Sequence, residues 1–443
     1  MTASEPVASV DAAWLKMDRP RNTADIVGLL TFRDPLPPET VRDLVEQQLL
    51  RYDRFRQRVV HSGVLREPTW EDDPAFSLDR HVVATKLPGG NGALERLVAS
   101  IATDRLDPEH PLWQMHVVDL GEDGSALVTK IHHCIGDGFA LVGVLLSIAD
   151  ELTEGAIPPA KRVPTLPAID LFKDPLKTIR DAVLDPMRAV KLGKNAVGLA
   201  LAIARMSILP SDPSTALNRP LSGRRKLVWS RGISMDQLRA GCHQLGATAN
   251  EVLIAALAGA LGAHLAAGGD RVDKSLRAMV PVNLRDMIPV RAKGAEALGN
   301  RFGLVFVDLP VHMRGAQERL YSIRAQMTAL KKSPDPVATF GVLSALGLVP
   351  KLLEQIVIEF FTTKASLVVT NVPGPRESLH LAGKQIEHLM FCVPHPARLG
   401  LGVSILSYAG EVRIGVRADE AVMSNPQDLV DRFHAELQQL VKV

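Results

Sequence analysis

The stretch that most restricts what this chain can fold into is Ala126-Leu-Val-Thr-Lys-Ile-His-His-Cys-Ile-Gly-Asp-Gly138, an apolar run that stops at two histidines, an aspartate and a glycine. Ala126 to Ile131 reads as a buried strand, and the turn Gly136-Asp137-Gly138 opens an apolar segment, Phe139 towards Asp150, that reads as a helix. Just upstream, Leu106-Asp-Pro-Glu-His-Pro-Leu-Trp113 is stiffened by two prolines and Gln114 to Leu120 continues as a strand. The turn Gly121-Glu-Asp-Gly124 folds that strand back on the first as a hairpin, which places Trp113 and the histidines in one sheet.

At 443 residues, 46% hydrophobic and 23% charged, the chain is globular and too long for one ordinary core, so two domains are expected. Its cysteines, Cys134, Cys242 and Cys392, stand far apart with no CxxC spacing, which argues against a disulfide framework or thiolate zinc site and fits a reducing cytoplasm. Met1-Thr-Ala-Ser-Glu-Pro6 lacks the basic and apolar regions of a secretory signal, and uncharged stretches such as Pro336 to Pro350 fall short of the roughly 18 apolar residues of a membrane span. A net charge of +2 gives no reason to expect a nucleic-acid partner. The charge is uneven, however: Lys161 to Lys226 holds 13 Lys and Arg against 5 Asp, a balance of +8 that leaves −6 for the rest.

Three segments follow. Residues 1–155 form an N-terminal domain that opens with a short helix, Val10 to Met17, capped by Asp11, and a strand from Ala24 to Phe32; Trp70-Glu-Asp-Asp-Pro74 reads as an acidic loop. Residues 156–214 are a basic, proline-punctuated linker. Within it Met187, Val190, Val197, Leu201 and Ala204 share one helical side and Arg188, Lys191 and Asn195 another, the pattern of a helix lying on an anionic lipid surface or of one packed across two domains. Residues 215–443 alternate strands with helices as a second domain. There Thr248-Ala-Asn-Glu251 has capping-box spacing ahead of the helix Val252 to Ala266, and Leu399 to Arg417 is a hairpin turning at Ala409-Gly410.

Three roles compete for His132, His133 and Asp137. A metal site is disfavoured because neighbours on a strand point to opposite faces and no third ligand has suitable spacing. A purely structural pair is the default for one histidine, less so for two in tandem before an Asp-Gly turn. The third role is a general base, an imidazole that takes the proton of a hydroxyl as it attacks a carbonyl. His133 shares parity with Leu127, Thr129 and Ile131, and His132 with Val128 and Lys130; parity alone does not say which faces a cleft. A Cys134 nucleophile is disfavoured by apolar neighbours that raise a thiol pKa.

His132-His-Cys-Ile-Gly-Asp-Gly138 fits the HHxxxDG motif of the chloramphenicol acetyltransferase-like superfamily. With Val10-Asp-Ala-Ala-Trp14, Pro111-Leu-Trp113, Asn250-Glu-Val-Leu-Ile254, Pro281-Val-Asn-Leu-Arg285, Gly299-Asn300 and Asn371-Val-Pro-Gly-Pro375, the chain resembles, over nearly its whole length, bacterial wax ester synthase/acyl-CoA:diacylglycerol acyltransferases. It departs from the family at Glu251, where Asp is usual, and at Asn283, where Ser is common; Glu251 is also accounted for by the capping box.

The resemblance implies an α/β fold of two similar domains with mixed sheets and an interdomain tunnel. It implies that His133 faces the tunnel as base beside His132, and that Asp137 is structural and paired with an arginine, Arg285 being one candidate. Gly138 would leave room beside the base, Asn250 would line the site and offer an oxyanion donor, Asn371 would sit in a turn near the domain interface, and Trp113 would contact substrate. The implied activity is transfer of a long-chain acyl group from acyl-CoA, a co-substrate with no further cofactor, to a fatty alcohol or diacylglycerol; the rival readings are another HHxxxDG acyltransferase that uses a carrier-protein thioester, and a non-catalytic protein that binds a lipid surface. The apolar stretch Val337 to Phe361 is an acyl-chain wall or a pair of core helices. A cytoplasmic location, with peripheral contact to an anionic membrane or lipid inclusion through the basic linker, is expected.

Overall fold

Two mixed β-sheets carry the fold, and the histidine strand lies near the middle of one of them. The computed structural model describes residues 4–61, 68–137, 148–150, 208–284, 300–331, 333, 335–348 and 351–441. The expected helix from Phe139, the amphipathic segment from Met187, and Gly138 and Arg285 therefore lie wholly or mainly outside the described residues.

The first half contributes β1 (Glu5–Pro6), α1 (Ser9–Met17), β2 (Asp25–Phe32), α2 (Pro38–Leu44), β3 (Gln57–Val60), β4 (Thr69–Asp72), α3 (Leu78–His81), β5 (Val82–Lys86), α4 (Ala93–Thr103), β6 (Trp113–Asp119) and β7 (Ser125–His132). From residue 208 onward come β8 (Arg225–Trp229), β9 (Ile233–Ser234), α5 (Met235–Leu245), α6 (Ala249–Ala267), β10 (Leu276–Asn283), β11 (Phe302–Leu309) and α7 (Ala316–Leu330). These are followed by α8 (Asp335–Leu348), α9 (Lys351–Thr362), β12 (Leu367–Pro373), β13 (His380–Leu381), β14 (Lys384–Cys392), β15 (Leu401–Tyr408), β16 (Glu411–Asp419) and α10 (Pro426–Leu440).

The first sheet has the order β13-β14-β2-β7-β6-β5, and the second β11-β10-β12-β15-β16-β8 with β9 added to β16. Among the described strands, only β5–β6 is parallel in the first; β10–β12 and β12–β15 are parallel in the second. The β6–β7 hairpin forms as its sequence demands, with Trp113 opposite Ile131. Its Gly124 has φ 90°, and a Cβ there would lie 2.0 Å from the Phe32 carbonyl oxygen, so no other residue fits this turn. Less expected is β14, which leaves the second half to pair with β2, Leu389 opposite Leu30. Asp150 supports that crossing by accepting the Ala382 and Gly383 amides at 3.1 and 2.6 Å.

Alternation along β7 divides the core. Leu127 and Ile131 pack with Ile26, Leu30, Trp14 and Met17 on the α1 side, while Ala126 and Val128 pack with Val27, Leu29, Val98 and Ile101 on the α4 side. The second sheet is backed by α6, whose Val252 to Leu261 is buried all round. The capping box at its start is real: Glu251 Oε2 accepts the Thr248 amide at 2.9 Å and Thr248 Oγ1 the Glu251 amide at 3.3 Å.

Two local expectations are corrected. Residues Thr69–Asp72 are not a loop; they form β4, paired with β3, and buried Trp70 holds that small sheet down. Asp11 does not cap α1, whose N-cap is Ala8; its carboxylate is committed elsewhere, as described below.

Between the two halves, Asn22 Nδ2 donates to the His395 and Ala397 carbonyls at 2.7 and 2.8 Å, and Asn22 Oδ1 accepts from Arg225 at 3.0 Å. Arg225 in turn forms a buried ion pair with Asp419 at 2.7 Å. Edge strand β11 is closed by α8. Thr339 Oγ1 accepts the Leu304 amide at 2.6 Å and donates to the Leu304 carbonyl at 2.8 Å, and Gly303 leaves room for the Pro336 carbonyl, which a Cβ would meet at 1.8 Å.

Candidate active site

At the end of β7 the two histidines part company. His132 is the last strand residue, opposite Asp25; its amide donates to Leu112 O at 2.9 Å and its Nδ1 accepts the Cys134 amide at 3.1 Å. A ring nitrogen that accepts a backbone N–H is unprotonated, so the neutral ring carries its proton on Nε2. Burial lowers its pKa, and the ring holds the turn together.

His133 points to the α1 side. Its amide donates to Ala24 O at 2.9 Å. Its imidazole is stacked on Trp14, with centroids 3.8 Å apart and planes 13° from parallel, and Phe302 closes the other flank at 5.7 Å. Burial in this aromatic slot pushes the imidazole down to about 4, with the Asp137 charge pulling the other way, so the resting ring is neutral. A neutral imidazole in an apolar slot can take up a proton from a bound hydroxyl and return it.

Asp137, also buried, accepts the Arg301 amide at 2.9 Å. Asn300 joins three elements: its Nδ2 donates to His133 O and to Asp11 Oδ1, both at 2.7 Å, and its backbone amide adds a 3.1 Å bond to the same Asp11 oxygen. Burial raises Asp11 to about 6, against these bonds from Asn300 that favour the carboxylate. The Cys134 thiol is buried and pushed well above its ordinary value, with the Asp11 and Asp25 charges adding to burial, which removes it as a thiolate nucleophile.

The other residues singled out in the sequence make their contacts elsewhere. Trp113, though paired with Ile131, is fully buried and stacked on His81 at 4.4 Å, with its indole donating to Phe55 O at 3.0 Å; among the described residues it has no ring contact with His132 or His133. An all-apolar strand face drew it into the core. Asn250 and Asn371 meet each other, Asn371 Nδ2 donating to Asn250 Oδ1 at 2.9 Å; among the described residues no hydrogen bond links them to His133. Sequence reasoning quoted Asp11, Trp14 and Asn300 within motifs yet gave them no role at the histidine, and missed Phe302. The available signal was the i, i+3 spacing of Asp11 and Trp14, which puts both on one helical face.

Further along the same elements lies an apolar pocket, open to solvent and with about 530 Å³ of empty space counting that opening, lined by Met17, Met279, Leu304, Phe306, Thr339, Val342, Leu343, Ile358, Phe361, Thr362 and Pro396. Met17 is one turn beyond Trp14 on α1, and Leu304 and Phe306 share the face of β11 that carries Phe302. The two elements that flank His133 thus also line the cavity, with these lining residues roughly 5 to 13 Å along them. Helices α8 and α9 contribute both core, as at buried Ala338, and cavity wall, as at Leu343 and Ile358. No group of three or more His, Cys, Asp or Glu poised for a metal occurs among the described residues.

Comparison with known proteins bears on this arrangement. Residues 7–253 match the family model for the wax ester synthase/diacylglycerol acyltransferase catalytic domain, and residues 298–441 that for the WS/DGAT C-terminal domain. The probable diacylglycerol O-acyltransferase tgs1 of Mycobacterium tuberculosis is 28% identical over 99% of this chain and 96% of its own length; tgs2 of the same species is 27% identical over 97% of each. Among solved structures, the wax ester synthase/diacylglycerol acyltransferase from Marinobacter aquaeolei VT8 superposes with a TM-score of 0.71 at 23% identity, covering 98% of both chains. The first condensation domain of the CDA synthetase gives 0.62 at 14% identity over 99% of this chain and 96% of its own. The site at His133 thus sits in a chain that belongs to the wax ester synthase/diacylglycerol acyltransferase family of acyltransferases.

Proposed function

We propose that this acyltransferase uses His133 as the base that activates an apolar alcohol against a long-chain acyl-CoA. The observation that carries this reading is the neutral imidazole in an aromatic slot whose flanking elements, α1 and β11, also line an apolar cavity. His133 takes the hydroxyl proton while the alkoxide oxygen bonds to the thioester carbon. The tetrahedral oxyanion then collapses, the C–S bond breaks, and the departing CoA sulfur recovers the proton from the imidazolium. Base and acid are the same residue, so no covalent enzyme intermediate is required. Acyl-CoA is a co-substrate consumed in the reaction.

A fatty alcohol or diacylglycerol fits the apolar lining, with one hydrocarbon chain in the cavity. Asp137 acts through position and charge beside the base, and the Asn250–Asn371 pair is the proposed polar contact for substrate on the second unit. Peripheral binding to a lipid surface at the cytoplasmic face is consistent with the +8 segment and with two exposed apolar residues, Ile208 and Phe360. Their neighbourhoods are joined, since the Asp212 amide donates to Thr363 O at 2.8 Å.

The test offers purified protein a long-chain acyl-CoA with hexadecanol and with diacylglycerol in parallel, products being read by thin-layer chromatography. Ester formation abolished by His133→Ala in folded protein is expected; undiminished turnover by that variant removes the base assignment. Flotation with anionic liposomes, with Arg188, Lys191 and Lys194 replaced in a control, tests the lipid contact.

A further inference from the structure

We propose that Trp14 is a positioning residue for catalysis, its indole face holding the His133 ring in line and stabilising the imidazolium that forms when the alcohol proton is taken. This rests on His133 being the base. The indole and imidazole lie almost parallel at 3.8 Å between centroids, whereas Phe302, tilted by 55° at 5.7 Å, presents no comparable face. Trp14 is itself fixed from behind: it lies on α1 between Asp11, bonded to Asn300, and Met17 in the cavity wall. Asn300 bonds the His133 carbonyl, so one bridge ties the backbone of the base to the helix bearing its stacking partner.

The chemistry follows from the slot's contents. A neutral imidazole gains from stacking mainly by dispersion, but an imidazolium is attracted to the negative face of the indole, most strongly where water is excluded. Both rings are buried, at 6% and 7% exposure. The interaction therefore grows as the proton arrives, the condition for a contact to lower a barrier. The proton moves from alcohol oxygen to imidazole nitrogen and later to sulfur, and Trp14 exchanges none.

The test inserts tryptophans carrying increasing numbers of fluorines at position 14 alone by codon suppression, which weakens the ring's negative face with little change of shape. Under conditions where chemistry limits turnover, kcat is expected to fall stepwise with fluorination while KM for acyl-CoA stays constant. Trp14→Leu is expected to lose about 2- to 30-fold in kcat and Trp14→Phe less. Constant kcat across the fluorinated series, in protein whose His133→Ala variant is inactive, overturns the role of Trp14 and leaves the base standing. Activity retained in His133→Ala removes the base assignment itself and the present proposal with it.

Discussion

Because burial holds His133 at about 4, the enzyme's pH dependence should differ sharply from that of an exposed histidine. At pH 5.5 an imidazole of ordinary pKa, about 6.5, is only about 9% neutral, whereas one at about 4 remains about 97% neutral. kcat/KM measured from pH 7.5 to 5.5 should therefore stay within about 10%, against a tenfold fall for an unperturbed base. The stability change has a definite sign. The folded pKa lies below the unfolded one, so the folded state binds fewer protons between the two values; stability is full above about 6.5 and is lost as pH falls towards 4. For His133 the loss is about 3 kcal/mol by pH 4 but only about 1 kcal/mol at pH 5.5; half-buried His116, also near 4, adds to it, whereas Asp11 and Asp212, raised by burial to about 6, take up protons in the folded state over the same range and oppose it. Initial rates with a fixed long-chain acyl-CoA, paired with thermal melts at each pH, keep the two effects separate. A tenfold fall in kcat/KM following a single ionisation near 6.5, in protein that is still folded, would refute the buried neutral base.

Asn300→Ala removes the side-chain donor to both His133 O and Asp11, leaving Asp11 only the Asn300 backbone amide; a loss of about 1–3 kcal/mol in denaturant melts is expected, and a change under about 0.5 kcal/mol would show that the bridge is dispensable. Ile358→Trp shortens the cavity. Each displaced methylene costs about 0.8 kcal/mol, so losing two lowers the long-to-short chain preference about fifteenfold. Comparing C16 with C8 acyl-CoA, and hexadecanol with octanol, shows which chain uses the cavity; if neither ratio moves, it holds neither. Gly303→Ala drives a methyl against the Pro336 carbonyl and should push α8 off β11 at about 1–3 kcal/mol, an effect visible as a lower Tm; an unchanged Tm would contradict the close approach.

How much of this was legible in the sequence depended on range. The β6–β7 hairpin, the Thr248 capping box and the 399–417 hairpin all rest on turn and cap chemistry between near neighbours, and each was readable. Strand β4 was hidden because Trp70-Glu-Asp-Asp is as polar as a loop and becomes a strand by pairing with β3 and burying one tryptophan. At the site, HHxxxDG announced the histidines, but their surroundings come from distant chain: Trp14 is 119 residues from His133, and Asn300 is 167. No local pattern encodes such contacts. Asp11 shows the same limit from the other side, since a carboxylate in a first helical turn looks like a cap until its partner 289 residues away is known.

The crossing of β14 into the first sheet has a consequence for the order in which the protein can be made. During synthesis β7 follows β2 after about 100 residues, but the strand that covers the other edge of β2 follows about 250 residues after β7, a delay of roughly 13 to 50 s at ordinary translation rates. Through that interval the nascent chain presents Leu29 and Leu30 on an open strand edge, where a neighbouring chain could pair in place of β14. The step that finishes the sheet bearing the histidines is thus among the last to leave the ribosome, and a ribosome stalled before residue 384 holds a chain with the HHxxxDG motif but an unfinished floor beneath it.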